Sequence, residues 1–231
     1  MPTREPASSL EARRRALARA RLYFVSEARP GGADPEPLLD GALRGGVDLI
    51  QLREKSHLGD NELVARARPF RRAADRHQAL FILNDRPDLV AACGADGVHV
   101  GQDDIPVADA RAAAGADAVV GLSTHSAAEI DAVESAEGDS RPDQVSVGPV
   151  WATPTKQGRL ATGLGLVEHA ARALTIPWFA IGGIDVANVA EVAAAGAARI
   201  VVVRAIRDAE DPEVAARSLR DALEARAGAG A

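Results

Sequence analysis

Eight short β-branched or apolar runs recur along this chain, and segments rich in Ala, Leu, Glu and Arg lie between them. The runs are Leu22–Val25, Leu49–Leu52, Leu80–Leu83, Gly97–Val100, Ala118–Leu122, Gln144–Val147, Trp178–Ile181 and Arg199–Val203. The helical segments are Pro35–Leu43, Asn61–Arg76, Pro87–Ala92, Val107–Ala113, Ala127–Ala136, Leu166–Ala173, Val186–Ala195 and Pro212–Ala225. Strands that alternate with helices pair in parallel, because each crossover carries the chain back to the same edge. Eight units in about 200 residues predict a single-domain α/β protein, a (β/α)8 TIM barrel near the small end of its size range. An open doubly wound sheet would normally place a glycine-rich fingerprint after its first strand. None follows Leu22–Val25. Gly45-Gly46, Gly94, Gly115, Gly138 and Gly196 each follow a helical run, where glycine suits a left-handed cap.

The barrel is expected over residues 21–227, with residues 1–20 as an N-terminal extension in which Ser9–Arg19 forms a short capping helix or frays. That extension carries Arg13, Arg14 and Arg15 without an apolar stretch, so it is not a secretory signal. No apolar run reaches the length of about 18 residues that a membrane helix needs. The single cysteine, Cys93, can form no internal disulfide and fits a reducing cytoplasm. The net charge of −6 and the 3% aromatic content disfavour a nucleic-acid partner and a stacking platform. Anionic substrates would need a locally basic site.

In such barrels chemistry gathers where strands end and the following loops begin, and the polar clusters of this chain fall there. After the second run comes Gln51-Leu52-Arg53-Glu54-Lys55. Strand alternation puts Leu49, Gln51, Arg53 and, if the strand persists, Lys55 on one face, and Ile50, Leu52 and Glu54 on the other. Solvated charges at a strand end would explain Glu54 but not Gln51 and Arg53. After the third run comes Asn84-Asp85-Arg86-Pro87, and after the fourth His99-Val100-Gly101-Gln102-Asp103-Asp104. Asn84, Asp85 and Asp104 could simply cap helices. Asp85 and Asp104, at neighbouring strand ends, also suit Mg²⁺, which takes one or two carboxylates together with substrate phosphates. After the fifth run, Ser123 or Ser126 could cap the next helix, and His125 reads as a hydrogen-bonded loop histidine.

The sixth run leads into Gly148-Pro-Val-Trp-Ala-Thr-Pro-Thr-Lys156, which cannot be regular helix or central strand. Its hydroxyls, backbone N–H groups and lysine read as an anion-holding loop. Gly158–Gly165 lacks periodicity and is expected to be a mobile loop. Gly182-Gly183, after the seventh run, let backbone N–H groups approach an anion. Val203 and Arg204 follow the eighth, where these barrels often bind phosphate.

Taken together and in order, these clusters resemble the thiamine-phosphate synthase family. The matching stretches are Gln-Leu-Arg-Glu-Lys at 51–55, Asn-Asp-Arg at 84–86, Gly-Val-His-Val-Gly-Gln-Asp-Asp at 97–104, Ser-Thr-His-Ser at 123–126, the whole of 148–156, and Ala-Ile-Gly-Gly-Ile at 180–184. The resemblance covers about Leu22 to Ile206. It implies a Mg²⁺-dependent transferase of thiamine biosynthesis that joins a hydroxymethylpyrimidine diphosphate to a thiazole phosphate and releases diphosphate. Carried over by position, Gln51, Arg53, Lys55, Asn84, Ser123 and Lys156 correspond to contacts on the pyrimidine side. Among these, Arg53, Lys55, Lys156 and Ser123 are the residues expected to act in the reaction. Asp85 and Asp104 correspond to the metal carboxylates. Thr153, Thr155, Gly182, Gly183 and Val203 correspond to the thiazole-phosphate side. The family is understood to lose diphosphate first, which calls for charge neutralisation and not for a protein nucleophile.

Two positions depart from the family pattern. Arg204 stands where serine is usual, and is expected to grip the thiazole phosphate in its place. Gly163 stands where proline is common, and is expected to loosen the loop after Lys156. The expected partners are small molecules, with neither nucleic acid nor membrane; monomer and homo-oligomer both stay open. The competing readings are a thiazole tautomerase-like barrel, a non-catalytic regulatory barrel, and a phosphate-binding isomerase that would need Glu54 as its base.

Overall fold

All eight predicted runs form strands, and they close on themselves in sequence order, β1 to β8, with every pairing parallel. The computed structural model describes residues 9–54, 58–153 and 160–227. The strands are β1 (Leu22–Ser26), β2 (Leu49–Leu52), β3 (Leu80–Asn84), β4 (Gly97–Val100), β5 (Val119–Thr124), β6 (Gln144–Val147), β7 (Trp178–Ile181) and β8 (Ile200–Val202). The helices are α1 (Leu10–Arg19), α2 (Glu36–Arg44), α3 (Asp60–His77), α4 (Val90–Cys93), α5 (Val107–Ala114), α6 (Ala127–Ser135), α7 (Gly163–Ala173), α8 (Val189–Ala194), α9 (Arg204–Arg207) and α10 (Pro212–Ala227).

Alternation along each strand divides the core in two. Ile50, Leu52, Phe81, Leu83, Val98 and Val120 belong to the layer between strands and helices. Tyr23, Val25, Leu49, Leu80, Ile82, Val119, Phe179 and Val201 fill the barrel interior, joined by Leu17 and Ala20 from the N-terminal segment. Tyr23 and Phe179 meet edge to face across that interior, their ring centroids 5.6 Å apart. α1 is capped by the Ser9 hydroxyl, which accepts from the Ala12 N–H. It is pinned to the barrel by Arg14 to Asp143 at 2.7 Å and Arg13 to Asp96 at 3.2 Å.

A repeated device fixes the lower rim. An aspartate stands just before each of β2, β4 and β6. Asp48 accepts from the Leu22 N–H, Asp96 from Phe81 and Asp143 from Val120, each the first or second residue of the preceding odd strand. An arginine neutralises each of them: Arg220, Arg71 and Arg111. Before β8 the residue is Arg199, whose guanidinium donates instead to the Ala18 carbonyl.

Several expectations need correcting. α7 begins at Gly163, so the last three residues of the predicted loop Gly158–Gly165 are its first turn. Residues 154–159 lie outside the described residues. Gly163 has φ +71°, and its N–H donates to the Val150 carbonyl at 3.0 Å. Proline can supply neither feature, so glycine here ties the helix start down and does not loosen it. β8 is shorter than its run, because Val203 already turns the chain into the unpredicted helix α9.

Candidate active site

The upper ends of the strands surround a cavity of about 360 Å³. Of the expected contacts, Gln51, Arg53, Asn84, Ser123, Thr153, Gly182, Gly183, Val203 and Arg204 all line it. Lys55, Thr155 and Lys156 lie outside the described residues. The first four of the lining set come from β2 and the residue just after it, β3 and β5. The rest come from the segments after β6, β7 and β8, so the cavity has two walls of separate origin.

On the first wall Gln51 is buried, and its Nε2 donates to the Tyr23 hydroxyl at 2.5 Å. Burial pushes the Tyr23 phenol far above its ordinary range, against the opposing Gln51 hydrogen bond, so it stays neutral. Arg53 follows two positions after Gln51, its backbone N–H held by the Ser26 carbonyl at 2.9 Å. Glu54 faces away and pairs with Arg66 at 3.4 Å; it does not line the cavity, which removes the base that the isomerase reading required.

Asp85 and Asp104 sit beside this wall and not among its lining residues. Asp85 adopts the left-handed region at φ +60° and accepts a hydrogen bond from Asn84 Nδ2. Burial first, then the charge of Asp104, raises its pKa to about 6, while Arg53 pulls it back down. Neither aspartate caps a helix: the turn at Pro87 and helix α5 both start without a side-chain cap. Asp104 instead accepts from the Gly101 N–H at 2.6 Å, closing the turn after β4. Arg86 turns outward to Asp60 and Asp88. Among the described residues, no group of three or more His, Cys, Asp or Glu could hold a metal.

The second wall is built from interlocked backbone. The Val150 N–H donates to the Ile181 carbonyl at 2.8 Å, and the Trp151 N–H to the Gly182 carbonyl at 3.1 Å. A side chain at Gly182 would come within 2.5 Å of Pro149, and one at Gly183 within 2.9 Å of Trp151. Both glycines also have positive φ, +105° and +68°. Only glycine lets the two loops lie this close. Thr162 fastens the far end of the β6 loop, its N–H and hydroxyl both donating to the Pro149 carbonyl, at 2.8 and 3.0 Å. Arg204 opens α9 with an exposed side chain at the cavity, near Asp208, whose pKa it helps to lower behind the main effect of Arg207.

Several lining residues were not assigned to the site beforehand, among them Tyr23, His99, Ser146, Asp185 and Asp208. The phase of strand alternation that selected Gln51 would have selected Tyr23, His99 and Ser146 as well. His125 is the expected loop histidine, its Nδ1 against the Gly148 carbonyl. Ser126, and not Ser123, caps α6 by accepting from the Glu129 N–H.

Residues 22–206 match the family model described as thiamine monophosphate synthase. The chain belongs to that family. A thiamine-phosphate synthase of Arthrobacter sp. (strain FB24) is 48% identical over 231 residues, covering 91% of this chain and 97% of its own. One of Mycobacterium sp. (strain KMS) is 50% identical over 220 residues, covering 91% and 96%. Among solved structures, the thiamine phosphate pyrophosphorylase of Pyrococcus furiosus superposes with a TM-score of 0.79 at 30% identity, covering 92% of this chain and 98% of its own. Family membership makes the chain a transferase acting on small molecules. No helix among the described residues is long and apolar enough to cross a membrane.

Proposed function

We propose that this chain condenses 4-amino-2-methyl-5-(diphosphooxymethyl)pyrimidine with a thiazole phosphate, giving thiamine phosphate and diphosphate. The observation that carries this reading is the two-walled cavity, with Arg53 on one wall and Arg204 with the paired glycines on the other. Gln51, Asn84 and Ser123 offer neutral hydrogen-bonding groups for a heteroaromatic ring, beside the Arg53 charge that a diphosphate needs. Thr153, the backbone of Gly182 and Gly183, and Arg204 offer donors for a phosphate monoester.

In the reaction the C–O bond to diphosphate breaks and its electron pair leaves with the diphosphate. The thiazole nitrogen lone pair then forms the new C–N bond. The protein needs no nucleophile for this. Its residues hold the two substrates in line and stabilise negative charge on the departing group.

Asp85 and Asp104 fit a Mg²⁺ ion. Burial and a neighbouring carboxylate raise the Asp85 pKa to about 6, a repulsion that a hard divalent cation relieves, and two carboxylates leave coordination positions for water and phosphate. When bound, the ion supplies charge neutralisation for the diphosphate. A cytoplasmic location accords with the lone buried cysteine. The test is to incubate both substrates with and without Mg²⁺ and measure diphosphate release. Release that needs both substrates and the metal is expected; no turnover with Mg²⁺ present sinks the reading.

A further inference from the structure

Two polar side chains on one rung of the barrel form a relay to Ser123. His99 in β4 lies opposite Gly121 in β5, and Gly121 lies opposite Gln144 in β6. The His99 and Gln144 side chains meet over the glycine. Gln144 Nε2 stands 3.0 Å from His99 Nδ1, and His99 Nε2 stands 2.9 Å from Ser123 Oγ. Gly121 makes that meeting possible, since a Cβ there would lie 2.1 Å from Gln144 Nε2 and 2.5 Å from His99 Nδ1. His99, Gln144 and Ser123 are 7%, 1% and 7% exposed, so the relay is shut off from bulk water.

Proton bookkeeping then sets the direction of every bond. An amide nitrogen only donates, so Nδ1 of His99 accepts and carries no hydrogen. A neutral imidazole with a bare Nδ1 carries its proton on Nε2, and that proton goes to Ser123 Oγ. The Ser123 hydroxyl, already accepting, has its own proton left to give. No protein acceptor takes that proton among the described residues, while Ser123 lines the cavity. Its backbone is fixed as well, because Gln102 Nε2 donates to the Ser123 carbonyl at 2.7 Å. Turning the Gln144 amide over would reverse the chain, but it would bury an NH₂ group where the carbonyl oxygen now has no partner. A buried carbonyl tolerates that better than a pair of unmet donors does.

We propose that Gln144 and His99 are positioning residues that commit the Ser123 hydroxyl to donating, so that the first wall selects a ligand with a lone-pair acceptor, such as a pyrimidine ring nitrogen, at that point. This rests on the reading of the first wall as the pyrimidine side. An amino or N–H group presented to Ser123 would meet only the hydroxyl's remaining lone pair and leave its proton without an acceptor, so the wall favours one polarity as well as one shape.

The test has two arms. In ¹⁵N-histidine-labelled full-length protein, long-range ¹H–¹⁵N spectra report which ring nitrogen of His99 carries the proton, with His99→Asn giving the assignment. A protonated Nε2 and a bare Nδ1 are expected; a protonated Nδ1 overturns the proposal. This arm needs no turnover, so it stands apart from any failure of the proposed reaction. In the second arm, Gln144→Met removes the donor at similar size. The KM for the pyrimidine diphosphate should rise about tenfold, the effect of losing one neutral hydrogen bond, with the KM for thiazole phosphate unchanged. The effect should vanish in a Ser123→Ala background. An equal effect in that background would show that Gln144 acts on packing alone, and would overturn the proposal.

Discussion

Asp85 and Asp104 are close enough for the charge of Asp104 to raise the pKa of Asp85, although one follows β3 and the other closes the turn after β4. Their closeness leaves a negative pocket beside the cavity, with Arg53 near enough to soften it. The fold therefore holds two like charges together, at a cost to its own stability.

That cost has a definite pH dependence. The Asp85 pKa rises from an ordinary 3.8 to about 6 on folding. The stability associated with its neutral form is thus fully present below 3.8 and is lost as pH rises through about 6. Asp85→Asn stays neutral throughout, and asparagine tolerates the positive φ. Without metal, thermal melts should show the variant more stable than the parent at pH 7.5, by about 1 kcal/mol once solvent screening is allowed for. The difference should fade towards pH 4.

Metal affinity should follow the same carboxylate. Mg²⁺ competes with the proton, so calorimetric affinity at constant ionic strength is expected to fall as pH drops below about 6. An affinity that stayed level from pH 7.5 down to pH 5 would move the metal away from this pair.

Arg204 should carry phosphate affinity and not chemistry. Arg204→Ala is expected to raise the KM for thiazole phosphate by about ten- to a hundredfold, the range for one charge-assisted hydrogen bond. The KM for the pyrimidine diphosphate should hold. An unchanged thiazole-phosphate KM in steady-state kinetics would leave the second wall with backbone donors alone.

Gly163→Pro would restore the residue more usual in the family, and it should harm this chain. It removes the N–H that holds Val150 and forces φ away from +71°. A loss of about 3 kcal/mol or more is expected in urea denaturation.

Asp143→Ala should be among the most damaging changes outside the cavity. It strands Arg111, 11% exposed, and leaves the Val120 N–H without its partner. Breaking a buried pair of this kind costs about 3–5 kcal/mol, measurable as a lower urea midpoint.

The barrel was legible because its signal is periodic: eight apolar runs, each one strand long, with helices between. Gln51 and Arg53 were legible for the same reason, as polar residues in the inward phase of a strand. What stayed hidden depended on contacts across strands. Nothing local says that Gln144 reaches over Gly121 to His99, or that Tyr23 takes the Gln51 amide. Gly163 was misread because its positive φ comes from the tether to Val150, a contact thirteen residues away in sequence. The α9 turn was missed because four residues carry too little periodicity to register.

The aspartates before β2, β4 and β6 give the barrel an uneven circumference. Three of the eight neighbouring strand pairs, β1 with β2, β3 with β4 and β5 with β6, are clasped by a buried or half-buried carboxylate, while β7 with β8 has its backbone ladder, including the Ala180 N–H to the Arg199 carbonyl at 3.0 Å, and no such clasp. A ring is opened most easily at its weakest link. The junction of β7 and β8 is the natural place for this closed fold to begin to part.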